Sequence, residues 1–169
     1  MILKDKGKTF TPAPEGLHQA VCVDVVELEP EEGTWKGKPT GIKEKLRIVW
    51  QINEVMPTTG KRFIVGRKFT ASLSEKAMLR KILDSWRGRK FTKEELAGFD
   101  METIIGANGM VNVVHNVVDD GTVYANVDTV VPLVKGMQKM QPEDYIRVRD
   151  RSGETSNVDS HGDDDTPPF

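Results

Sequence analysis

The sequence predicts a mainly β domain of five strands with one helical stretch inside it, followed by a polar tail. Two observations carry this. Residues 43–55 alternate apolar and polar, and Val-rich runs fall at 16–28, 110–118 and 122–131, as strands require. After residue 70 the period changes to that of a helix, with Leu79, Ile82, Leu83 and Trp86 on one stripe. A third observation, the sorting of charge, points to function. The net charge is only −2, yet residues 36–93 hold sixteen Lys and Arg against four acids, while 151–169 hold one Arg against five Asp and Glu.

In chain order, residues 1–15 are polar, contain Pro12 and Pro14, and read as an extended arm. Gly16 to Leu28 is the first strand. Glu29 to Ile42 contains Pro30, Gly33, Gly37, Pro39 and Gly41, a spacing that predicts a long irregular loop. In the second strand, 43–55, Leu46, Ile48, Trp50 and Ile52 share one face, with Lys45, Arg47, Val49 and Gln51 on the other. Met56 to Lys61 is a turn, and Arg62 to Thr70 a third strand of less regular parity. Ser72 to Glu75 has the spacing of a capping box opening the first helix, with Gly88 as its stop, and Thr92 to Glu95 opens a second short helix in the same way. The fourth strand, 110–118, meets the fifth, 122–131, through the Asp119-Asp120-Gly121 turn.

After Pro132 the apolar periodicity ends. The domain is therefore expected to span 16–135, with 136–169 mostly disordered, at least beyond about Arg151, because so polar a segment buries too little to offset its ordering entropy. Three strands, a helix and two strands is the element order of an OB-type five-stranded Greek-key barrel, with the helix stripe closing one end. An SH3-like barrel is the rival, but it does not ordinarily hold some thirty residues between strands three and four.

Charge and architecture coincide. An OB barrel binds oligonucleotides on its second and third strands and neighbouring loops, and the basic segment covers that region. Single strands are held by cations along the backbone and by aromatic faces on which bases stack. The candidate cations are Lys36, Lys38, Lys43, Lys45, Arg47, Lys61, Arg62, Arg67 and Lys68, with Arg87, Arg89 and Lys90 extending the track. Trp35 and Tyr124 are candidate stacking residues, as are Phe63 and Phe69, depending on strand parity; Trp50 and Trp86 read as core. For Trp35, stacking on a base and packing on the barrel rim both stay open. A surface that is merely well solvated is the bland alternative for the cations.

Signs of other chemistry are weak. His18, His115 and His161 are scattered, without the spacing of metal ligands, and Gly37-Lys38 and Gly60-Lys61 lack the rest of a phosphate loop. No enzyme, cofactor or metal is expected. The single cysteine, Cys22, cannot form an internal disulfide and reads as a small buried residue. No apolar run approaches membrane-span length, and none closely follows Lys4, Lys6 and Lys8, so the expectation is a cytoplasmic protein without a secretory leader.

The terminal stretch Asp163-Asp164-Asp165-Thr166-Pro167-Pro168-Phe169 resembles the acidic tip of bacterial single-stranded DNA-binding proteins, a run of Asp, an apolar residue, Pro and a final Phe. It departs from that pattern at Thr166-Pro167. The body from Ser72 to Glu95, with Leu79-Arg80 and Trp86-Arg87-Gly88-Arg89, resembles phage-encoded single-stranded DNA-binding proteins of OB type. The resemblance implies DNA rather than RNA as ligand and, for a phage protein, a role in replication or recombination in the host cytoplasm. It also implies a tip that docks on replication and recombination proteins, with Asp163, Asp164 and Asp165 steering it, Pro167 and Pro168 holding it extended and Phe169 filling a pocket. An RNA-binding or recombination-mediator OB protein, or a phage assembly or adaptor protein that binds no nucleic acid, are the alternatives. Oligomeric state stays open, a homo-oligomer included.

Overall fold

Five runs rich in β-branched residues pair into one antiparallel sheet. The computed structural model describes Met1 and residues 11–151. Its strands are β1 (Gly16–Trp35), β2 (Lys38–Val55), β3 (Arg62–Thr70), β4 (Asn108–Val117) and β5 (Val123–Val131), in the spatial order β3-β2-β1-β4-β5. Helices α1 (Met78–Arg87) and α2 (Lys93–Ala97) lie between β3 and β4. Edge strands β3 and β5 share no ladder, so the sheet is not closed. One side chain spans the gap: Arg67 Nη1 donates to the carbonyls of Val127 (3.1 Å) and Asp128 (2.9 Å).

The period-two reading of β2 holds. Leu46, Ile48, Trp50 and Ile52 are buried in the main core, joined there by all four residues of the α1 stripe. Gly88 ends α1 with a left-handed φ of 71°, its N–H on the Asp84 carbonyl. The Thr92/Glu95 capping box forms as expected. The one at Ser72 does not: the Ser72 hydroxyl accepts from Ser74 N, and α1 starts six residues later behind Ala77, whose side chain has no oxygen to offer as a cap.

The predicted loop at 29–42 is a correction. β1 and β2 continue past the sheet as a two-stranded ribbon that turns at Lys36-Gly37, with Trp35 opposite Lys38. Both turn residues have positive φ, 49° and 77°, as a two-residue hairpin turn with right-handed strand twist demands. Pro30 falls inside the register shift between Leu28 and Glu31, where no ladder N–H is required of it. Gly and Pro thus mark bulges and a turn here, not the absence of a strand.

The polar segment after β5 is the second difference. Residues 133–151 form a strap over the outer face of β1 and β2. Met140 and the half-buried Tyr145 pack on Val21, Val23 and Val49. Gln51 donates to the Glu143 carbonyl (2.5 Å) and accepts from Glu143 N (2.9 Å), and Asn108 makes the same two-way contact with Met140. The strap ends on Asp24, only 1% exposed, which accepts from Tyr145 Oη, Arg147 Nε and Val148 N at 2.9–3.0 Å. Burial pushes the Asp24 carboxyl up, but these donors outweigh it and hold its pKa below the ordinary carboxylate range. Composition missed the strap because it is fastened by polar side chains and backbone groups, with little apolar area of its own.

Candidate nucleic-acid interface

Cross-strand partners share a face of a sheet, and the register of β1, β2 and β3 gathers Lys38, Lys43, Lys45, Arg47 and Lys68 on one. Trp35 faces Lys38, Glu31 faces Lys43, Leu28 faces Lys45, and Arg47 is paired with Lys68 of β3. The Lys43 side chain crosses Gly33, where a Cβ would lie 3.0 Å from its Cε. The face therefore runs from the ribbon tip to the sheet, with Trp35 69% exposed at its outer end. Lys36 sits in the turn itself, its ammonium 5.8 Å from the Trp35 ring centroid.

The cations differ in what already holds them. Among the described residues Lys36, Lys38, Lys43, Arg47 and Lys61 form no ion pair. Lys45 donates to Thr70 Oγ1 at 2.7 Å, and Lys68 pairs with Glu31 at 2.5 Å. Both remain on the open face, and an exposed pair of this kind is worth little and is readily exchanged. Arg67 is committed to the β5 carbonyls and lies over Phe69. Arg62 belongs to the strap, donating to the Gln141 carbonyl at 2.6 Å and pairing with Glu143 at 3.2 Å.

Three site expectations are corrected. Phe63 and Phe69 are buried in the main core, because β3 turns its odd positions inward, and neither presents an open ring face on the outer surface. Arg87 has a side chain only 2% exposed, paired with Glu95 at 2.5 Å and stacked over Phe91. The Thr92 N–H and the Arg87 guanidinium hold the Glu95 carboxyl down at about 2. Arg89, with a side chain 58% exposed, lies at the edge of this cluster, 3.8 Å from Glu95. The tip residues Asp163, Asp164, Asp165, Pro167, Pro168 and Phe169 lie outside the described residues.

Tyr124, 48% exposed, is opposite Asn116 on β4 and lines a groove of about 1110 Å³ between β3 and β5. Arg47, Ile64, Gly66, Arg67, Lys68 and Asn126 line it too. Sequence reasoning missed Ile64, Gly66, Asn116 and Asn126. Gly66 carried the one available signal, since a glycine inside a strand often marks a close approach. Among the described residues no group of three or more His, Cys, Asp or Glu is arranged to hold a metal, and no helix is long and apolar enough to cross a membrane. Cys22 is fully buried, and that burial raises its thiol well above its ordinary pKa. No protein-family model matches the chain, and no curated protein matches its sequence.

Proposed function

We propose that this protein binds and protects single-stranded DNA, without strong sequence preference, on the outer face of an OB-type barrel, in phage DNA replication or recombination. The observation that carries the reading is the ribbon face. An exposed Trp35 and the cations Lys38, Lys43, Lys45, Arg47 and Lys68 fall on one surface by strand register, the combination that holds a flexible polyanion with stacked bases. The barrel assignment is supported by the strand order, by the helices between β3 and β4, and by Arg67 reaching from β3 to β5. The strap covers another part of the outer face, which directs a bound strand along the ribbon and past Lys68.

Binding through these cations is expected to depend steeply on salt. Log K for a fluorescent oligo-dT falls linearly with log salt at about −0.7 per phosphate contacted, so four or more contacts, one for each lysine of the face, give a slope of about −3 or steeper. Oligo-U binding as tightly would favour the RNA-binding alternative, and a slope near zero would contradict a cation-held strand. Partner recruitment by the acidic tip rests on the sequence of residues 163–169. It is tested by capture from cell extract, where proteins held by the full chain are expected to be lost when Phe169 alone is deleted.

A further inference from the structure

The groove between β3 and β5 is, we infer, a nucleobase subsite, in which a base stacks on the guanidinium of Arg47; the inference rests on the single-strand reading above. Arg47 starts on β2 but reaches across β3. A Cβ on Gly66 would lie 2.7 Å from its Nε and 2.8 Å from its Nη2, so the guanidinium occupies space that only glycine leaves open. The φ of Gly66 is not in the left-handed region, so the backbone does not require glycine there. What requires it is the position of Arg47.

Beside its cations Arg47, Arg67 and Lys68, the groove offers apolar and amide surface that a planar base can use and a phosphate cannot. Arg47 makes no hydrogen bond or ion pair among the described residues, which leaves its plane available. Ile64 is 51% exposed on the same face of β3 as Gly66, and Tyr124 stands across the groove on β5. Asn116 and Asn126 supply amide donors and acceptors of the kind that meet a base edge. The nearby acid Asp128 accepts from Asn112, at 3.4 Å. Phosphates have the better-placed lysines of the ribbon. A guanidinium offers a flat surface on which a base stacks, and an ammonium does not.

The test compares oligo-dT with an abasic strand of equal length. Arg47→Lys keeps the charge and removes the plane. It is expected to weaken oligo-dT binding about 5- to 150-fold, the usual range for loss of one stacked base, and to leave abasic binding within about twofold. Gly66→Ala is expected to do the same in the wild-type background and to add nothing to Arg47→Lys. Arg47→Lys binding oligo-dT like wild type overturns the inference. So does an equal loss on both strands, which would make Arg47 a phosphate contact. Failure of wild type to bind either strand overturns the underlying single-strand reading instead.

Discussion

Replacing Trp86 with alanine is expected to cost about 3–5 kcal/mol of folding stability. For a domain of this size that is a fall in melting temperature of roughly 6–20 °C, read by thermal circular dichroism. Trp86 is 2% exposed at the end of the α1 stripe, with its ring centroid 5.7 Å from that of Trp50. Its indole N–H donates to the Asn108 carbonyl at 2.9 Å. The fit is close enough to need Gly109, where a Cβ would come within 2.7 Å of Nε1. Alanine removes the ring, its hydrogen bond and the contact between helix and sheet, and β4 is too tightly paired on both sides to collapse into the space. Affinity per folded molecule for a single strand should be unchanged, since none of these atoms reaches the ribbon face. A melting temperature within a degree or two of wild type would mean that α1 is not docked on the sheet.

Periodicity decided which parts of this architecture could be read in advance. The inward faces of β2 and α1 repeat at 2.0 and 3.6 residues and bury as those periods require, so Trp50 and Trp86 were identifiable as core. At Thr92 a local hydrogen-bond pattern was enough, because the cap is closed by residues three apart. The ribbon was not legible. Its Gly and Pro residues oppose a strand locally, and what overrides them is pairing between two strands, out to Glu31 with Lys43 twelve positions on, which no single-strand window contains. The strap failed for a related reason: Tyr145 and Arg147 find Asp24 more than a hundred residues away.

The candidate site shows the same division. Charge sorting picked out the segment that forms the ribbon and its neighbouring strands, and strand parity put Arg47 and Lys45 on an outward face, where they lie. Parity could not separate cations with different commitments. Arg62, Arg67 and Arg87 look like Arg47 in sequence, yet the first is held by the strap, the second bridges to β5 and the third is buried against Glu95. Phe63 and Phe69 were ambiguous because β3 carries Arg67 among its inward positions, which blurs the alternation. That same arginine reaches across to the β5 backbone, so the irregularity that obscured the strand has a partner in the fold.

If single strands lie on the ribbon face, Trp35→Ala weakens binding without disturbing the fold. Trp35 sits at the tip, opposite Lys38, with no core beneath it. Truncating a ring so exposed removes no buried contact, so the melting temperature should move by less than about two degrees, as for an ordinary surface substitution. If a base stacks there, the loss in oligo-dT affinity is about 1–3 kcal/mol, or roughly 5- to 150-fold. The variant retains every cation, so the slope of log K against log salt should stay at its wild-type value. The measurement is a fluorescence-anisotropy titration of wild type and Trp35→Ala with labelled oligo-dT, run beside thermal melts of both. Weaker binding with an unchanged melt and salt slope is the result this structure predicts. Equal affinity for the two proteins, or a destabilised variant whose folded molecules bind normally, would contradict it and return Trp35 to a packing role.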